Sequence, residues 1–325
     1  AQRLAADEVI LLSAIDDIAT APDETLAAAF AVDARAEPGA TLMIDYPEDG
    51  SVFPPDMVAP TFLWHDDADG VNAWLLTVHL GSGATIRVLS AGPPPPQGEI
   101  DPRALGPTND VYEPTPYQAS ARSWTPAPDV WEAIKARSVE SPAEVVVAGI
   151  DTAQPNRRLS VGTVRLTTSK DPVGAPIFYR DVPLMPVEGR NGEIRPLSTS
   201  NLPLIGWRLR DVSRPESRLV LTGMPTCANC HSFSLDGRTM GMDVDGPQGD
   251  KGSYMIAPIE EHMAVTQDDV ITWNAFAEKP DDHKTIGFLS RISPTGRYAV
   301  TTLNESLYTK NFTDFRFLQV FFPTR

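Results

Sequence analysis

The sequence predicts a mostly β protein. A short helical N-terminal arm spans residues 1–35, a β-sandwich region spans 36–190, and a C-terminal β domain spans 191–325 and holds both cysteines. Three observations point there. From Ala36 onward, short apolar runs recur between turn residues at roughly the 8–12-residue spacing of all-β domains. The 31 prolines and 22 glycines, in a chain only 42% apolar, suit many turns and short strands. Between the strand runs there is no helical stretch long enough for a βαβ crossover. At 325 residues, two or three domains with separate cores fit.

Leu4, Val9, Leu12, Ile15 and Ile18 recur near helical spacing without an intervening Gly or Pro, so residues 4 to 31 read as helical. Asp23 is the expected N-cap of a second helical piece containing Leu26–Phe30. Asp7, Glu8, Asp16 and Asp17 make the polar face acidic, which favours packing or protein docking over lipid. Thr41–Tyr46 then reads as a strand closed by the turn Pro47-Glu48-Asp49-Gly50, followed by strands at Ala59–Trp64 and Asn72–Val78. Trp64 and Trp74 are core aromatics. Pro93–Pro96 opens a polar loop to about Ser120, long enough to be a flap or an interface arm. Trp131–Lys135 reads as one or two helical turns, and Ala143–Gly149 and Leu159–Leu166 as further strands. This succession resembles the immunoglobulin-like or fibronectin-like sandwich modules of exported bacterial proteins.

The chemistry concentrates in Pro225-Thr226-Cys227-Ala228-Asn229-Cys230-His231-Ser232. Cys-x-x-Cys-His is the attachment motif of c-type haem: two thiols tether one porphyrin and the adjacent imidazole is the proximal iron ligand. One covalently bound haem c is therefore expected on Cys227, Cys230 and His231. A plain disulfide, a thioredoxin-like redox pair and half of a zinc site are the alternatives. The last would need His65, His79, His262 or His283, which are scattered. For the distal position, Met240 and Met242 share a strand face by period-two alternation, with Met255 a weaker candidate and His262 and His283 as imidazole alternatives. An open sixth position is the remaining option. Asp243, Asp245 and Asp250 either bind calcium or form an acidic hairpin loop; Gly246 comes one residue early for an EF-hand.

Ser169–Leu184, Trp207–Val212 and the Cys-x-x-Cys-His segment together resemble a family of large exported bacterial proteins. In these, a sandwich-like front part and the haem motif precede TolB-type β-propeller repeats. The similarity covers most of residues 40 to 325. Phe233–Val244, with its Asp236-Gly237 turn, and Ile292–Thr302 resemble two such repeats. Two units cannot close a ring of about 4–8 blades, so the propeller is expected to be truncated here. Arg180 and Asp181 read either as site residues or as an ion pair at the domain junction. The apolar ending Phe315–Phe322 reads as a last strand or a partner-covered segment.

With 43 acidic and 27 basic residues the net charge is −16, which disfavours nucleic acid and anionic membrane faces and suits basic redox proteins. No apolar run reaches membrane-span length. The chain begins at Ala1, as either a processed exported protein or a fragment would. No nucleophile elbow, phosphate loop or zinc-protease helix is present, which lowers the expectation of a hydrolase without removing it. The expectation is a periplasmic or extracellular monohaem electron-transfer protein, acting with other redox proteins or a membrane-bound complex. The alternatives are an accessory subunit docked on such a complex and a carbohydrate- or polymer-binding module with a Cys227–Cys230 disulfide.

Overall fold

A computed structural model describes residues 9–13, 40–81, 83–98, 102, 113–182, 199–224, 228–246, 252–273 and 289–301. Strands dominate, as the composition predicts. The described residues form two compact units. The first takes Ala1–Glu99, Tyr112–Ile177 and Arg210–Glu216, and the second takes Ile100–Val111, Phe178–Leu209 and the chain from Ser217 onward.

The first unit is built on a seven-stranded sheet. Its order is β1 (Val9–Ser13), β7 (Thr85–Ser90), β6 (Ala73–His79), β9 (Ala143–Ile150), β10 (Arg158–Thr168) and β2 (Ala40–Thr41), with β4 (Ser51–Phe53) also pairing with β10. β7, β6, β9 and β10 pair antiparallel, whereas β1, β2 and β4 join in parallel. A second sheet runs β3 (Met43–Tyr46), β5 (Phe62–His65), β8 (Arg122–Trp124). One core lies between the two sheets, where Phe62, Trp64 and Trp124 meet Trp74, Leu76, Val145 and Leu166. Each such side chain contributes roughly 1.5–3 kcal/mol on leaving water.

β1 corrects the expected N-terminal helix. Val9-Ile10-Leu11-Leu12 is an unbroken apolar run with two β-branched residues, and periodicity alone does not tell a short buried strand from a helix face. The edge of β7 decides it by pairing with all five residues, from Val9 with Thr85 to Ser13 with Leu89. The rest of the expected arm, residues 1–8 and 14–35, lies outside the described residues.

Two helices complete this unit. α1 (Pro116–Ser120) falls within the stretch expected as loop, and a capping box between Thr115 and Gln118 explains its start. α2 (Pro128–Arg137) lies at the helical turns expected near Trp131. Pro at its first turn, Asp129 early and Lys135 and Arg137 late all match helix polarity. It buries Val130, Trp131 and Ile134 in the core. Trp131 Nε1 donates to Met57 O at 2.8 Å and Lys135 Nζ to Pro55 O at 2.7 Å, fastening the helix to the 54–57 loop.

The second unit contains a three-stranded sheet of β11 (Ile177–Asp181), β12 (Gly206–Arg210) and β13 (Arg218–Thr222). A four-stranded antiparallel meander of β14 (Ala228–Phe233), β15 (Thr239–Val244), β16 (Ser253–Pro258) and β17 (Val270–Thr272) follows. A hairpin of β18 (Arg291–Ile292) and β19 (Ala299–Val300) lies against β14 and β15. The Asp236-Gly237 turn read from the sequence is present, and the second repeat-like stretch also turns at a glycine. Gly237 adopts φ +66° at the Asp-Gly turn, and Gly296 adopts +69° in the hairpin. Ser234 Oγ donates to Asp236 Oδ1 at 2.6 Å and accepts from Thr239 N at 3.0 Å, closing the β14–β15 turn. The core of this unit joins Met240, Met242, Val244 and Met255 with Trp207 and Leu221. The apolar ending Phe315–Phe322 lies outside the described residues.

Candidate functional site

The second half of the Cys-x-x-Cys-His string lies on β14, the edge strand of the meander. Pairing with β15 matches Ala228 to Val244, His231 to Met242, Ser232 to Gly241 and Phe233 to Met240, with a bulge between Ala228 and His231. Residues directly opposite in an antiparallel pair share a face. His231 and Phe233 therefore stand on the face of Met242 and Met240, and Met255, which pairs with Met242, extends that row onto β16. The shared face of Met240 and Met242 read from alternation is thus present. All three methionines are fully buried in the core, whereas His231 is exposed. The His231 ring meets Phe178 at 4.9 Å and Phe233 at 5.5 Å, both edge-on.

Cys230 belongs to the opposite face, near Asp243. It is a free, half-buried thiol. Burial and then the Asp243 carboxylate push its pKa up, which suppresses the reactive thiolate. Burial likewise raises Asp243, whose Oδ2 accepts from Ser290 N at 3.2 Å while its Oδ1 is buried without a partner among the described residues. Tyr254 pairs with Asp243 across β16 and is fully buried, and burial raises its hydroxyl as well. Gly241 makes room for that hydroxyl, since a Cβ there would sit 2.1 Å from Tyr254 Oη. Ser232 Oγ accepts from Ile292 N at 2.9 Å and ties β14 to β18.

Cys227, Asp250 and His283 lie outside the described residues. His262 is exposed on the loop after β16. Among the described residues no three His, Cys, Asp or Glu side chains are grouped to hold a metal. Asp181 accepts from Arg208 Nε across β11 and β12, so it forms an ion pair within the second unit, and Arg180 is exposed. His65, named as a zinc alternative, bonds Asp45 Oδ2 at 2.5 Å through Nδ1 and Tyr117 O at 2.6 Å through Nε2. Both ring nitrogens are committed. The Phe178 contact and the buried Asp243–Tyr254 pair were missed in the sequence. Only alternation along Thr239–Val244 signalled that Asp243 would face away from Met242.

The paired strand does not fit a haem. One porphyrin bound through Cys230 and His231 needs the thiol and the imidazole on one side of the chain, whereas the Cys230 thiol lies near the Asp243 carboxylate and His231 pairs with Met242, which faces the other way along β15. His231 and Met242 stand side by side on one face, so they do not oppose each other as axial ligands.

No protein-family model and no curated protein matches the chain. Among the described residues no helix is long and apolar enough to cross a membrane.

Proposed function

We propose that the chain is an exported electron-transfer protein carrying one haem c on Cys227 and Cys230, with His231 as proximal ligand. The observation that carries this reading is the string Cys227-Ala228-Asn229-Cys230-His231, which contains both cysteines of the chain. In the paired strand Cys230 is a free thiol and His231 is exposed beside Phe178 and Phe233, an arrangement that does not itself present both groups to one porphyrin, so the reading rests on the string. A compartment outside the cytoplasm, periplasmic or extracellular, is where such a haem is attached. The net charge of −16 suits docking to basic redox proteins or to a basic face of a membrane-bound electron-transfer complex.

The test is the colour of protein purified from a host competent in haem attachment. Acid–acetone extraction is expected to leave the chromophore on the chain, because thioether bonds survive it. His231→Ala is expected to abolish or convert the reduced low-spin spectrum. A colourless chain with a Cys227–Cys230 disulfide overturns the reading in favour of the binding-module alternative.

A further inference from the structure

We propose that Pro93-Pro94-Pro95-Pro96 is a docking ridge for a partner protein that reads polyproline II helix in a groove lined by aromatic side chains. The inference stands on the first unit alone and is independent of the Cys-x-x-Cys-His string.

Ring closure fixes φ of every proline near about −65°, and a residue that precedes proline is kept out of the helical region. Pro93, Pro94 and Pro95 all precede a proline, so the run is extended as polyproline II, a helix with no hydrogen bonds of its own. Its course is therefore set by its neighbours. Gly92 launches it from the end of β7, donating through its N to Ser90 Oγ at 3.0 Å. It takes φ +58° and lies so close to Trp74 that a Cβ there would stand 2.5 Å from the ring. Ser123 of β8, itself buried, then holds the backbone of the run. Ser123 N donates to Pro93 O at 2.8 Å, and its Oγ–H is shared between Pro93 O at 3.0 Å and Pro94 O at 3.3 Å.

The prolines held in this way remain outside the core. Pro93, Pro94 and Pro96 are exposed and Pro95 is half-buried. At about three residues per turn, Pro93 and Pro96 stand one turn apart on the same side, the Pro-x-x-Pro spacing that such grooves take. One proline after Gly92 is enough to end β7, so the other three call for a different reason. A rigid ridge supplies one: its order is set before docking, and little conformational entropy is left to lose. The net charge of −16 favours a groove with a basic rim.

The test titrates the full chain with an isolated WW domain that reads uninterrupted proline runs, followed by calorimetry. Saturable one-to-one binding is expected, and Pro93→Ala/Pro96→Ala is expected to weaken it by about tenfold or more. A soluble polyproline peptide is expected to displace the wild-type chain from the domain, a readout that needs no variant to fold. Three results overturn the proposal: no binding, binding that excess peptide leaves intact, or undiminished binding by a double variant that keeps the wild-type circular dichroism.

Discussion

The two units solve the same problem, burying one face of a sheet, with different side chains. Four of the six tryptophans, Trp64, Trp74, Trp124 and Trp131, sit in the first core. Their rings interlock, Phe53 against Trp131 at 5.4 Å and Trp64 against Trp74 at 5.9 Å. Five of the eight methionines, Met224, Met240, Met242, Met255 and Met263, sit in or against the second core. Rigid rings fix a unique packing, whereas thioethers fill irregular space and tolerate change. Half-buried carboxylates follow the same division. Asp66 Oδ2 in the first unit accepts from Trp74 Nε1 at 2.8 Å and from Ser160 Oγ at 2.5 Å, while Asp243 Oδ1 in the second has no hydrogen-bond partner among the described residues. The first unit is built to hold a shape, and the second is built where a shape can change.

The largest effect expected from that difference is in stability. Trp131→Ala removes a fully buried ring and its bond to Met57 O, and is expected to cost about 3–5 kcal/mol. Met242→Leu conserves volume in the methionine core and is expected to cost less than about 1.5 kcal/mol. Urea unfolding, followed by fluorescence and by circular dichroism, measures both. Equal losses would erase the contrast between the two cores.

A smaller effect sharpens the contrast through pH. Burial raises the Asp243 carboxyl above the ordinary aspartate range, so just above that range the folded chain holds a proton that the unfolded chain has released. Stability therefore falls as pH rises through the window between the unfolded and folded values. Asp243→Asn removes that loss. The variant is expected to gain on wild type as pH rises from about 3 to 7, with the gain fading at the acid end. A difference that does not change with pH would show that ionised Asp243 is not penalised by its surroundings.

Much of this molecule was legible because alternation and turn residues are local signals. The strands near Thr41–Tyr46, Asn72–Val78, Ala143–Gly149 and Leu159–Leu166, the helix at Trp131 and the Asp236-Gly237 turn of the second unit follow from them. Val9–Ser13 departs from the helical expectation because its fate depends on the edge of β7, 76 residues further along the chain (85 − 9), and a four-residue apolar run carries no period of its own. The site was half legible. Alternation placed Met240 and Met242 on one face, but treating Cys230 and His231 as one unit overlooked that a strand separates neighbours. The Asp243–Tyr254 pair was invisible because cross-strand register sets it and no residue type signals register.

The smallest expected effect carries the opposite sign to Asp243 and lies in the first unit. Asp49 sits in the exposed turn before β4, where Arg165 reaches it three times. Arg165 N donates to Oδ1 at 2.9 Å, Nε to Oδ1 at 3.2 Å and Nη2 to Oδ2 at 2.7 Å. Those side-chain and backbone bonds lower the Asp49 carboxyl to about 2, from 3.8. The folded chain thus releases this proton before the unfolded chain does as pH rises. The contribution of the pair is complete above about pH 4 and disappears as pH falls through about 2. Because the pair is solvent-exposed, screening keeps the effect small and salt weakens it. Asp49→Asn is expected to be slightly less stable than wild type at neutral pH and indistinguishable from it near pH 2. Thermal unfolding of both proteins across that range, at low and high salt, measures it. If the Asp49→Asn deficit persisted undiminished at pH 2, the turn would be held by the shape of its hydrogen bonds to Arg165 rather than by charge. The contrast between a paired exposed aspartate and a stranded buried one would then rest on Asp243 alone.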